Sequence, residues 1–502
     1  MKICFFLQRR FAYVGHALAV SLQTKYPDTQ FCGYVQIRSG FDFLRAQKDV
    51  NYTQLLLDED VHARYKDEKL DWVFLKKLEK EYGIPHLWSF IEIDRILRLN
   101  QLVREYPYDT PQYSHDDMLK ILQVTAKAIL KFLDEEKPDV IIFSVVGALS
   151  SFLLYTIAKK KNISVHIITL TRVGTRHTLT SDYTTLTDVD ALYKKISRGE
   201  LNLPDERAHA EAFLRQFRQR PAPYAKTDSP KTRPVTRLRQ FDFLKPRNLL
   251  RSLQWLVTVW YQYFTSNERH DYSTIKPWYF FIDKIKQKTR VLIGFDALYD
   301  AIDVTKKFAF FPLQLEPEIS TMLYAPYYTD QVWVAKQISK SLPIDWFLYV
   351  KEHPAMYGKR TRAFYKELKK IPNLRLAPPT IESFDLTART RLVITITGTA
   401  GWEALMFKKP VITFGDVFYN QLLMVRQCRV IAELPQTIKE HLTHWRHDEA
   451  AMLNYLTAIF AASVEVDLFE IWDVEGGGRL KERAQELESL TKLIAQKVGL
   501  KK

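Results

Sequence analysis

Cysteine is scarce: Cys4, Cys32 and Cys428 are the only three in 502 residues, far apart, with no CxxC pair and no zinc-type spacing. That excludes a disulfide framework, argues against a structural metal and fits a reducing compartment. No stretch reaches the roughly 18 consecutive apolar residues that a spanning helix requires. The opening MKICFFLQRRF has only a short apolar run before Arg9 and Arg10, so a first strand is expected there rather than a signal peptide. A cytoplasmic location is expected, with a peripheral place at the inner face of the plasma membrane left open. No internal repeat, Walker loop or GxGxxG fingerprint is found. No DxD motif is expected beside a strand either, which fits a metal-independent enzyme, and neither a metal nor a cofactor is expected.

Hydrophobic residues make up 46% and aromatics 13%, which excludes a disordered chain, and the length allows two or three domains. The net charge of +15 is concentrated: between Arg215 and Arg251 eleven Lys or Arg face two acids, Asp228 and Asp242, among five prolines. Such a segment reads as an exposed linker or insertion. The aromatic-rich run NLLRSLQWLVTVWYQYF follows it, so residues 215–264 suit an anionic membrane face. A solvated linker with a core helix is an equal reading. Nucleic acid would attract the same charge, but no RNA-binding motif surrounds Trp255 and Trp260, and no nucleic-acid partner is expected.

The remaining chain alternates strand and helix signals. Ile3–Leu7 and Phe31–Ile37 predict early strands. Ser114–Leu133 predicts a helix capped by Ser114 with Asp117 three residues on. Asp139–Phe143 and Ser164–Ile168 flank another helix, a βαβ unit that implies a parallel sheet. From Lys307 the series FAFFPL, DQVWVAKQISKSL, WFLYVK, TRAFYKELKK, NLRLAP, RLVITIT, GTAGWEALMF and PVITFG alternates again. Strands this uniformly apolar are buried on both faces, as in a doubly wound sheet. The predicted architecture is α/β: two doubly wound, Rossmann-like domains facing a cleft, with a helical basic insertion. Its divisions are one α/β domain over 1–185, the basic linker and helices over 186–300, a second α/β domain over 301–435, and helices over 436–502, the last charged and amphipathic.

In open α/β sheets ligands sit beyond the carboxyl ends of the strands. Three ends in the second domain carry polar residues. After FAFFPL come Gln314, Glu316 and Glu318; after WFLYV come Lys351, Glu352, His353 and Pro354; after RLVITIT come Thr397, Gly398, Thr399, Ala400, Gly401 and Glu403. The glycine turn opens a helix whose unpaired N–H groups suit a phosphate, with Glu403 one turn inside to take ribose hydroxyls. His353 can donate to a phosphate or protonate a leaving oxygen, Lys351 can add charge, and Glu352 can raise the imidazole pKa on contact. Glu316 and Glu318 are the carboxylates best placed for chemistry at a sugar carbon, as nucleophile or base, unless they merely cap the next element. In the first domain, Arg9, Arg10, Tyr13 and His16 follow one strand, and Arg172, Gly174, Arg176 and His177 follow another. Arg10, His16, Arg172 and Arg176 are the acceptor-side candidates. Glu92, Asp94 and Arg95 form a charged cluster in an apolar pattern, functional or structural. Each has an ordinary surface reading beside the functional one.

FFPLQLEPEISTMLYAPYYTDQ, LYVKEHP and TITGTAGWEALMFKKPVITFG, in that order, resemble the capsule polysaccharide biosynthesis family across roughly Lys307–Tyr419. The resemblance implies a GT-B-like glycosyltransferase, with 301–435 as the nucleotide-sugar domain and 1–185 as the acceptor-side domain, that moves Kdo or another acidic sugar from a CMP-linked donor to a surface glycan or glycolipid. The His353–Pro354 corner is similar to one that contacts the CMP phosphate in bacterial sialyltransferases. Teichoic-acid polyol phosphotransferases look similar across the same corner, so a CDP-polyol phosphotransferase is the alternative. A non-catalytic basic nucleic-acid-binding scaffold is the more distant one.

Overall fold

The computed structural model describes residues 1–100, 111–224, 241–242, 245–265, 270–274, 276–468 and 487–501. Two parallel-sheet α/β domains face one another. The first sheet is built from β1 (Lys2–Leu7), β2 (Gln30–Val35), β3 (Tyr52–Leu57), β4 (Val140–Phe143), β5 (Ser164–Leu170) and β6 (Arg176–Thr180). The second contains β7 (Phe308–Pro312), β8 (Phe347–Lys351), β9 (Leu374–Ala377), β10 (Leu392–Thr395), β11 (Val411–Thr413) and β12 (Val425–Gln427). A final short strand, β13 (Val464–Glu465), returns to the first sheet. The strand orders are β13-β6-β5-β4-β1-β2-β3 and β12-β11-β10-β7-β8-β9. The second sheet is parallel throughout, whereas β6 and β13 are antiparallel additions to the first. Both sheets are apolar on both faces because helices cover both, which is why their strands lack polar alternation.

The expected elements between Lys307 and Phe414 form where the alternation placed them. The helix His115–Glu136 begins at Ser114, whose hydroxyl takes the Asp117 amide while the Asp117 carboxylate takes the Ser114 amide. Two segments pack away from their sequence neighbours. Leu186, which precedes the helix Thr187–Ser197, Val189 within it, and Leu214 and Phe217 of the helix Pro204–Gln219 join the core of the second domain beside Trp402 and Tyr455. The helix Glu488–Val498 packs instead against the first sheet, with Leu490 and Ile494 beside Leu18 and Leu22. The charged run 476–486 ahead of it lies outside the described residues, as does most of the proline-rich basic stretch, 225–240.

The carboxyl ends of the two sheets meet. Gly147, just past β4, lies so close to Ile319, past β7, that a Cβ there would overlap it. Beside them the Tyr183 and Tyr324 rings stack across the junction at 6.1 Å.

Candidate functional site

The loops after β7, β8 and β10 share one edge because their strands are neighbours in the sheet. They are joined through Arg360, which is fully buried. Its Nε donates to Glu316 at 2.9 Å, its Nη1 to both oxygens of Glu352 at 2.7 and 2.9 Å, and its Nη2 to the Gln314 carbonyl at 2.9 Å. Tyr365 donates to Glu352 at 2.6 Å, and Gln331 closes on Glu316 and on the backbone of Gln314. Burial alone would lower the pKa of Arg360, but Glu352 and Glu316 together hold it above its usual range. Burial raises the Glu316 carboxyl against the pull of Arg360 and Gln331. Gln314 carries the connection onward: its Nε2 donates to Thr395 Oγ1 at 3.0 Å, and the same hydroxyl takes the Gly398 amide at 3.0 Å.

The Thr397–Glu403 turn fits this frame closely. A Cβ on Gly398 would stand 2.5 Å from Gln314 Nε2 and 2.7 Å from Thr395 Oγ1, so only glycine fits. Thr397 donates to the Ser320 carbonyl at 2.7 Å, tying the turn to the β7 loop. Gly398 caps the helix Thr399–Met406, and its carbonyl accepts from Tyr419 at 2.6 Å. Glu403, half-buried, has its carboxyl pushed up to about 7 by burial, against a hydrogen bond from Thr399. It lines a cavity of about 270 Å³ with Thr399, Trp402, Arg172, Arg220 and Tyr224.

At the β8 corner, His353 Nδ1 accepts the Ala355 amide at 3.2 Å, which places the neutral ring's proton on Nε2. Lys351 is buried and donates to Ser383 at 3.1 Å; burial lowers its pKa.

Glu316 and Glu352, expected at the reacting sugar and the donor, are both ion-paired with Arg360 and hold the loops together. Lys351 braces the β9 loop through Ser383. Glu318 directly precedes the short helix Ile319–Met322, but its side chain makes no capping hydrogen bond there. Pro354 begins the turn Pro354–Met356 and Ala400 lies in the first turn of Thr399–Met406.

Of the acceptor-side residues, Arg10 stands at the start of the helix Phe11–Lys25, just past the carboxyl end of β1. Arg172 reaches the Glu403 cavity, stacking 4.6 Å over the Tyr224 ring. Arg176 does not face the cleft: it binds Ser463 and the Phe460 carbonyl and stacks on the Phe460 ring, bracing the chain's return to the first sheet. His16 is buried against Phe43, with Nδ1 3.2 Å from Tyr52 Oη, because its helix turns that position inward. Asp94 accepts the amides of Ile96, Leu97 and Leu149 and the Tyr272 hydroxyl, a structural cap.

A DxD spacing does follow a strand: Asp58-Glu59-Asp60 comes directly after β3. Asp58 accepts from Tyr34 and Ser150, Glu59 takes the Arg38 amide and Asp60 the Arg38 guanidinium, so the three are engaged in packing. Sequence reasoning also passed over Arg360. Its one signal is a cation set among Tyr357, Gly358 and Phe364 in a segment that must fold back over the sheet edge.

A second, larger hollow of about 1330 Å³ opens between the domains, lined by Trp88, Glu92, Tyr183, Glu316, Tyr324 and Asp416 among others. His353 lines neither this cavity nor the one at Glu403.

Residues 250–455 match the family described as capsule polysaccharide biosynthesis protein. Protein FixF of Sinorhizobium fredii (strain NBRC 101917 / NGR234) is 30% identical over 125 residues, 24% of this chain. The chain covers 30% of that protein's length. Among solved structures, the beta Kdo 2,7 transferase KpsC of Thermosulfurimonas dismutans aligns over 72% of this chain and 89% of its own, at 12% identity and a TM-score of 0.36. The UDP-GlcNAc 2-epimerase of Neisseria meningitidis aligns over 92% and 98%, at 11% identity and a TM-score of 0.24. Neither structural likeness fixes an activity. Over residues 250–455 the chain is similar to the capsule polysaccharide biosynthesis family.

Proposed function

We propose that the chain is a glycosyltransferase of capsule polysaccharide synthesis. It would transfer a sugar, Kdo or another acidic one, from a CMP-linked donor to a glycan or glycolipid acceptor. The observation that carries the reading is the buried Arg360–Gln314–Thr395 linkage, which holds the β7, β8 and β10 loops at one sheet edge. The family match over the same residues supports it.

In this reading the amides opening the helix Thr399–Met406 take the donor phosphate, where the helix end carries partial positive charge. His353 donates its Nε2 proton to the departing phosphate oxygen. Glu403, whose raised pKa keeps much of it protonated near neutral pH, faces the ribose hydroxyls and can donate as well as accept. Glu316 and Glu352 act through Arg360 as positioning residues, and Glu318 is the carboxylate assigned to the sugar carbon. Arg172 and Arg10 come from the acceptor side.

Donor turnover tests this: hydrolysis or transfer measured with CMP-Kdo, other CMP-sugars and CDP-glycerol. Release of CMP from a CMP-sugar is the expected result. Turnover of CDP-glycerol alone would assign the site to polyol-phosphate transfer, and turnover of none would remove the enzymatic reading.

A further inference from the structure

The helix Pro246–Thr265 carries Leu250, Leu253, Val257, Tyr261 and Phe264 at intervals of three and four residues. That spacing makes one stripe, which on a helix of a globular protein normally faces a core. Here each of the five is between 50% and 67% exposed. Beside it lies the helix Pro277–Ile293, with Trp255 against Phe280 and Tyr263 against Trp278. This second helix exposes Ile282, Ile285, Leu292 and Ile293 in turn. A contiguous apolar surface of this kind on a soluble chain marks a docking face.

Charge identifies its occupant. The two helices carry Arg247, Arg251, Lys284, Lys286, Lys288 and Arg290, and their one acid, Asp283, is buried. Two copies meeting through this face would bring like charges together, whereas anionic headgroups would neutralise them. Nucleic acid would satisfy the cations and leave the Leu, Val and Ile side chains in water. Among the described residues no helix is long and apolar enough to cross a membrane, so the pair would lie along the surface.

We infer that helices Pro246–Thr265 and Pro277–Ile293 form an interfacial platform that docks on an anionic lipid bilayer. The basic segment before them falls largely outside the described residues. Its base is joined to the β8 corner: Arg290 donates to the Lys359 carbonyl, Arg362 to the Gly294 carbonyl, and Val291 packs where a Cβ on Gly358 would fall. Docking would therefore set the loop carrying His353 close to the lipid surface.

Co-sedimentation of the full chain with vesicles is the test, using phosphatidylcholine alone and with about a third phosphatidylglycerol. Binding is expected only to the anionic vesicles, falling with added salt. The variant Leu253→Glu/Val257→Glu/Tyr261→Glu should weaken it at least about tenfold with an unchanged melting temperature. Should that variant fail to fold, Val257→Glu alone is read the same way. No binding, equal binding to neutral vesicles, or binding that survives these substitutions would overturn the inference. So would sedimentation equilibrium showing a dimer that the same substitutions dissociate, since the face would then be a self-association surface. None of these readouts depends on donor turnover.

Discussion

Replacing Arg360 by methionine should cost more stability than almost any other single change in the second domain. The guanidinium makes four hydrogen bonds, two of them to Glu352 and one to Glu316, whose side chains are 3% and 13% exposed. Methionine fills much of the volume but leaves two carboxylates without their counterion. Breaking a buried pair by removing one partner typically costs about 3–5 kcal/mol. In a domain of this size each kcal/mol moves the midpoint by about 2–4 °C, so a fall of roughly 6–20 °C is expected at neutral pH. The loss should depend on pH. Glu316 already has a raised pKa, and without Arg360 it must rise further. A carboxyl whose folded-state pKa exceeds its unfolded value favours folding below the unfolded value, about 4.3, and loses that contribution as pH rises through the folded one. The gap between wild type and variant should therefore be narrow near the unfolded pKa and widen towards neutrality. Arg360→Lys should fall between the two, since one ammonium cannot reach both carboxylates and the Gln314 carbonyl in the same geometry. Thermal unfolding followed by circular dichroism across pH reads all of this. A variant melting within about 2 °C of wild type at neutral pH, or a gap that does not vary with pH, would refute the reasoning.

Two further predictions address the chemistry. His353→Ala should depress donor turnover by about a hundredfold or more while the melting temperature holds, because the ring caps one short turn and fills no core; a wild-type rate would remove His353 from the mechanism. Glu403→Gln should melt progressively higher than wild type as pH rises from about 4.5 to about 7, since the wild-type carboxyl loses its stabilising contribution across that window and the amide does not; a constant difference would place the carboxyl's pKa in the ordinary range.

Strand ends were legible because their physics is local. FAFFPL, WFLYV and RLVITIT are apolar without alternation, and each is followed at once by polar residues, so sheet, edge and loop could all be placed. The glycines of GTAGWE announced a tight entry into a helix. What each side chain does with its charge was not legible, because it depends on residues distant in sequence. Glu352 meets Arg360 eight residues on, but Glu316 meets it 44 residues away, and Gln314 reaches Thr395 across 81. Arg176 looked like a cleft residue until Ser463, 287 residues later, came back to pair with it. His16 followed the first strand as a cleft residue would, but the helix it sits on turns it towards Tyr52. Asp58-Glu59-Asp60 shows the converse: a spacing that suggests a metal is absorbed by Tyr34, Ser150 and Arg38.

The most direct measurement is the melting temperature of the wild-type chain with CMP, CDP, UDP and GDP added separately, since a ligand bound only by the folded state raises it. CMP should raise the midpoint, and Gly398→Ala, which drives a methyl against Gln314 and Thr395, should abolish the shift. If no nucleotide moves the midpoint, or if the CMP shift persists unchanged in Gly398→Ala, the three loops do not hold a nucleotide-activated donor.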